Sequence, residues 1–309
     1  MLPASARTLA ASPTTESAFP EAADTPTGNS SLFVLWSDEL PVSTDLWLLI
    51  ALSAAGLAVW GVLAWRAWRG KPLLNPMPDE RPPWNAGVVI VAAALWAFQL
   101  GSRLLREWQL LTESAPPSGT LTIREAVANL QAVVLQSALL LALLLLILSQ
   151  FGNVSLVPFG VRGDSWRRDL AAGGLGFLAA MPAVVAIGLV TSPWRNGERT
   201  HRLVQLLSEH PTAEAYAWVA ASVIVAAPLY EELLFRVILQ GALRSKLNAA
   251  AAIGLSSVAF AFVHGFPDSL ALLPLAVVLG FVFERRRSWL SVVVLHALFN
   301  ASTMLRMML

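Results

Sequence analysis

The stretch "YAWVAASVIVAAPLYEELLFRVILQGAL", residues 216–243, is long and apolar enough to cross a bilayer, yet it carries Glu231, Glu232 and Arg236 near its middle. A charge at the centre of a spanning helix costs about 3 kcal/mol on insertion scales. Ionisable groups held there mark pairs, ion pathways or chemistry. Helical geometry sorts the three. Residues four apart share a face, whereas neighbours diverge by about 100°. Glu232 and Arg236 therefore form a pair in the favoured order, and Glu231 is left over. Pro228, three residues before Glu231, removes a backbone hydrogen bond and is expected to kink the helix.

The rest of the chain fits a lipid setting. Of 309 residues, 56% are hydrophobic and 13% charged, against about 25% charged in soluble domains. A net charge of +1 gives no reason to expect nucleic acid as a partner. The absence of cysteine excludes disulfides, thiol nucleophiles and Cys-ligated zinc. Chemistry is left to carboxylates, hydroxyls, amides and four histidines: His201, His210, His264 and His296.

Three regions follow. Residues 1–45 are small, polar and punctuated by proline, with Arg7 as the one basic residue; too poor in apolar mass to fold alone, they read as a disordered tail. "LFVLW" (Leu32–Trp36) is too short for the core of a signal peptide. Residues 46–164 and 165–309 then read as N-terminal transmembrane helices and a second, chemistry-bearing transmembrane core. The apolar segments are Leu46–Trp65, Trp84–Gly101, Ala126–Ser149, Leu170–Val190, Tyr216–Leu243, Ala249–His264, Leu270–Phe283 and Trp289–Met308. About 20 helical residues cross a core of about 30 Å, so the expectation is an all-α, multi-pass bundle of about eight spans. The sixth and seventh segments are short and separated only by "GFPD" (Gly265–Asp268), which allows a broken pair instead. Trp47, Trp65, Trp68, Trp84, Trp166 and Trp289 sit at segment ends, as interfacial belts do. "AAGGLGF" (Ala171–Phe177) offers small residues for close helix packing. Lys and Arg are more numerous on the side holding Arg66, Arg69, Lys71, Arg244, Lys246 and Arg285–Arg287, which makes that side cytoplasmic and puts both termini on the other.

Two more stretches carry polar groups into the membrane. "FAFVH" sets Phe260 and His264 four apart, and "HALFN" sets His296 and Asn300 four apart on one face of the last span. Each has an ordinary explanation. The Glu–Glu–Arg trio can be a structural ion network or part of a proton pathway. An intramembrane histidine can be a helix-packing hydrogen bonder, and His264, followed by Gly265 and Pro267, can simply satisfy helix-end carbonyls. Together, however, a spare carboxylate, two imidazoles and an amide can position a water, deprotonate it and stabilise an oxyanion.

In this order "EELLFR", "FAFVH" and "HALFN" resemble the EExxxR, FxxxH and HxxxN signatures of the CPBP family. These are intramembrane, glutamate-type endopeptidases that include the CAAX-processing enzyme and Abi-type bacterial proteins. The resemblance runs over about residues 213–304 and extends to "LQGALRSKL", "GLSSVAFAFVHG" and "GFVFERRRSWLSVVVLHALFNA". One departure is Val237, where glycine often follows the motif arginine. The resemblance implies that Glu231 is the general base, that Glu232 and Arg236 support it, and that His264 helps hold or activate the water. His296 and Asn300 would stabilise the tetrahedral oxyanion, and Phe260 would wall the site. Such proteins are commonly called metalloproteases. Two histidines and a carboxylate could bind zinc, but no HExxH helix places two histidines one turn apart.

The function expected is hydrolysis of a peptide bond in a membrane-anchored or lipidated protein, by a glutamate-activated water, within the lipid bilayer of the cell membrane. The competing expectations are a non-catalytic scaffold or immunity-type protein, and a proton-coupled transporter. Depth gives one conflict. At 1.5 Å per residue Glu231 lies about 24 Å from the outer end of its span and His296 about 10 Å from the inner end of its own, which agree. His264 comes out about 22 Å from the inner end of the sixth segment, which requires a displaced or tilted helix, or a break at "GFPD".

Overall fold

The computed structural model describes residues 44–74, 86–112, 123–151, 156–157, 160, 165–194, 207 and 211–308. The N-terminal tail to residue 43, Trp84, His201 and His210 lie outside them. All the regular structure among these residues is helical: α1 Thr44–Trp68, α2 Ala86–Thr112, α3 Ile123–Phe151, α4 Trp166–Thr191, α5 over residues 213–244, α6 Ala249–Phe262, α7 Asp268–Arg286 and α8 Trp289–Met308. The eight helices follow the eight apolar segments. Four regions, Thr44–Trp68, Val127–Gln150, Trp166–Trp194 and Trp289–Arg306, are long and apolar enough to cross a membrane on length and composition alone. The chain is an all-α integral membrane bundle.

Burial separates the helices into two shells. In α1 and α3 only 11% of the apolar window is buried, against 44% in α4 and α8; the first two therefore face lipid around a core built by the C-terminal helices. α4 is the central post, packed on α1, α7 and α8, with α6 against α7. The core runs through Phe177, Met181, Leu233, Phe235, Phe260, Leu275, Leu279 and Leu295. The small-residue stretch acts as expected where two helices touch: a Cβ at Gly173 would meet the Ser291 carbonyl at 2.7 Å, and one at Gly176 would meet Leu295 Cδ1 at 2.5 Å. Trp47, Trp65, Trp68 and Trp166 remain exposed at helix ends.

Local chemistry sets the ends. Thr212 and Asn248 hold extended backbone and cap α5 and α6, their side chains accepting from Ala215 N and Ala251 N. Gly265, at φ 75°, turns the chain after α6. At the opposite end of α7, Arg286 does not face outward with its basic neighbours. It is buried, donating to Asp169 of α4 at 2.8 Å through Nη2, while Ser165 donates to the other carboxylate oxygen at 2.7 Å.

α5 is not a uniform helix. Its register widens to π turns at Ala221–Ala226 and Leu233–Gln240, flanking the α-helical segment Ala227–Glu232. Pro228 accounts for the first: its ring collides with the carbonyl four residues back, and it has no N–H to offer. The site lies on the second half of this helix.

Candidate active site

The leftover acid and the paired acid are separated as the helical spacing predicts. Glu232 Oε2 accepts from Arg236 Nε at 3.1 Å with both side chains fully buried. Glu232 also has a partner that the spacing does not reveal. His296 Nδ1 on α8 donates to Glu232 Oε1 at 2.8 Å, so the carboxylate is shared between a guanidinium and an imidazole. Glu231, one residue earlier, faces His264: Oε2 lies 4.0 Å from Nε2, with 22% and 28% of the two side chains accessible. The trio is closed to solvent, whereas the side chains of the pair keep part of their surface accessible.

The tautomer of His264 follows from its other nitrogen. Nδ1 lies 2.8 Å from the Phe260 carbonyl oxygen, which can only accept, so Nδ1 carries the proton. In the neutral ring Nε2 is then a bare acceptor directed at a carboxylate. Two acceptors 4.0 Å apart have no bond to make with each other. A water between them can donate to both.

Phe260 joins the two halves. Its buried ring lies 4.7 Å from the His264 ring, 5.6 Å from His296 and 5.3 Å from Phe235 (centroid distances), with the Arg236 guanidinium carbon 5.0 Å above its face. It is the packing residue expected, and it also carries a cation–π contact. Asn300, one turn beyond His296, donates from Nδ2 to the Val223 carbonyl at 2.6 Å.

Glu231 and His264 do meet in the structure, and the depth conflict lies in the end chosen for the count along α5. α6 has 14 residues, about 21 Å, and stops short of a full crossing. Counted from the Arg244 end, Glu231 is about 20 Å along α5, and His264 is about 22 Å beyond Ala249, so the two meet. The count from Tyr216 misplaced Glu231 because α5 is about 45 Å long and exceeds the core.

Several buried polar atoms around the cluster lack a protein partner, among them Glu231 Oε2, both Nη atoms of Arg236 and Tyr230 Oη. Donors and an acceptor left over on one helix call for water or substrate oxygens. A zinc ion is a poorer fit. Among the described residues no group of three or more His, Asp or Glu is placed to hold a metal. The open end offers Glu231 and His264 Nε2, two ligands where a catalytic zinc takes three from protein.

Sequence spacing also missed Gln240, fully buried on the second π turn. Its amide donates to the Gly280 carbonyl at 2.9 Å and accepts from Ser256 at 3.3 Å, tying α5 to α7 and α6. A glutamine inside an apolar span is the signal that could have found it.

The fold and site thus define a class: an all-helical integral membrane protein with a glutamate–histidine site inside its C-terminal bundle. Residues 213–302, from the start of α5 into α8, match the family model for type II CAAX prenyl endopeptidase Rce1-like proteins. The three motifs that carry the resemblance all lie within the matched stretch. No curated protein and no solved structure matches the chain.

Proposed function

We propose that the chain is an intramembrane endopeptidase with Glu231 as general base, and that residues 165–309 form its catalytic core. One observation carries this reading: Glu231 Oε2, buried and without a hydrogen-bond partner, lies 4.0 Å from His264 Nε2 on two side chains that are themselves partly accessible, a spacing one water can bridge. A purely structural ion network has no use for such a gap. Its work is already done by the closed trio beside it.

The steps balance without further reagents. A water donating to Glu231 and His264 attacks the carbonyl carbon of a bound peptide. Glu231 takes its proton as the C–O bond forms. The oxyanion is met by His296 Nε2 in its imidazolium form, made tolerable by Glu232 at Nδ1, and by the second N–H of Asn300. Collapse breaks the C–N bond, and Glu231 returns the proton to the leaving amine. The site lies within a helical bundle, so the natural substrate is a protein segment already held at the membrane by an anchor or a lipid.

The test uses the purified chain in liposomes with an internally quenched, prenylated peptide ending in a CAAX sequence. Hydrolysis should fall about 10²–10⁴-fold in Glu231→Gln, with the protein still folded. Equal turnover by wild type and variant would overturn the assignment of the base.

A further inference from the structure

α8 is pinned to α5 at two points, and the second point is made by a proline. In the first π turn the Ala227 N–H is donated to the Ser222 carbonyl, five residues back. The next donor in that register would serve Val223, but it belongs to residue 228, a proline with no N–H. The Val223 carbonyl is therefore left without a backbone partner from either position. Asn300 supplies one, with Nδ2 at 2.6 Å. Four residues earlier on the same face of α8, His296 is held by Glu232 at 2.8 Å. The two attachments bracket Glu231 along α5.

We infer that Pro228 is a positioning residue: by withholding a backbone proton it opens the Val223 carbonyl as a dock for the Asn300 amide, and so fixes how α8 presents His296 and Asn300. The bond to Val223 uses one of the two amide protons and sets the plane of the group. The other proton is then held in a single direction. Without the dock the amide is free to turn, and α8 keeps only the Glu232 tether. The catalytic part of this inference rests on the reading proposed above; the structural part does not.

A double-mutant cycle on the full chain in detergent tests it. Asn300→Ala orphans the Val223 carbonyl and lowers the unfolding midpoint. Pro228→Ala restores a backbone N–H at that position, and the helix then has a donor to spare for the Val223 carbonyl. Added to Asn300→Ala, it should raise the midpoint by about 2–4 °C. A proline that merely shapes the kink gives the opposite sign, since its loss adds damage. Additive losses would overturn the inference.

The activity arm uses the same prenylated peptide. Pro228→Ala alone should reduce kcat about tenfold to a hundredfold with KM little changed, and Pro228→Ala with Asn300→Ala should be no slower than Asn300→Ala. A double variant slower than Asn300→Ala by the full factor seen for Pro228→Ala alone would overturn it as well. If wild type and Glu231→Gln are equally inactive, the peptidase reading fails, and the midpoint cycle still decides the role of Pro228.

Discussion

Glu232 and His296, 64 residues apart in the chain, share a hydrogen bond of 2.8 Å in a part of the bundle closed to solvent. The same carboxylate holds Arg236, so a single acid compensates two buried donors. Glu232→Gln leaves both without a full charge partner. Breaking a buried pair in this way costs about 3–5 kcal/mol. We expect Glu232→Gln to lower the unfolding midpoint sharply, whereas Glu231→Gln, at the accessible pair, leaves it nearly unchanged. Thermal unfolding of the two variants side by side checks this; equal midpoints would show that the neighbouring acids are not divided as described.

His264→Phe separates ring from nitrogen. Phenylalanine keeps the stacking on Phe260, whose ring lies 4.7 Å away, and removes the acceptor that faces Glu231. The variant should fold with a midpoint near that of wild type and lose about 10²-fold or more in peptide hydrolysis. Retained turnover would mean that Glu231 positions the water unaided.

Part of this was legible in the sequence and part was not, for identifiable reasons. Apolar runs mark helices within a few residues, and the four-residue spacing places Glu232 on Arg236, because both rules act inside one helix. Contacts between helices obey no such spacing. The second partner of Glu232 comes from α8. Asp169 and Arg286, 117 residues apart, form a buried pair that a count of positive charges assigns to the membrane face. The Val223 dock exists only because α5 shifts to π register, which the proline hints at and the pattern of apolar residues does not record. Depth along α5 failed for a related reason: a rise per residue measures distance along a helix, and the end from which to measure is set by its neighbours.

Phe260 is touched by Phe235, His264, His296 and Arg236 at once. Phe260→Ala should cost about 3–5 kcal/mol through the cavity it leaves and abolish turnover, since both imidazoles lose their common wall. Phe260→Leu fills most of that volume without an aromatic face. We expect it to recover much of the stability and little of the activity, as read by midpoint and kcat together. Full recovery of both would reduce Phe260 to an apolar filler.

The glycines of α4 offer a test of the packing itself. Gly173 and Gly174 are adjacent and share the same helical backbone, so their intrinsic preference for alanine is the same. Their surroundings differ. A Cβ at Gly173 would lie 2.7 Å from the Ser291 carbonyl and 2.8 Å from Val294 Cγ1, whereas a Cβ at Gly174 meets nothing within 4 Å. A side-chain tip can rotate away, but the Ser291 carbonyl is backbone, so α8 itself must move. Gly173→Ala should therefore destabilise by about 1–3 kcal/mol, and because α8 carries His296 and Asn300 it should slow hydrolysis as well. Gly174→Ala should be neutral or stabilising by up to about 1 kcal/mol, since alanine loses less conformational freedom in a helix. Midpoints of the two variants, measured in the same detergent, decide it: the reverse order would place α8 against a different face of α4.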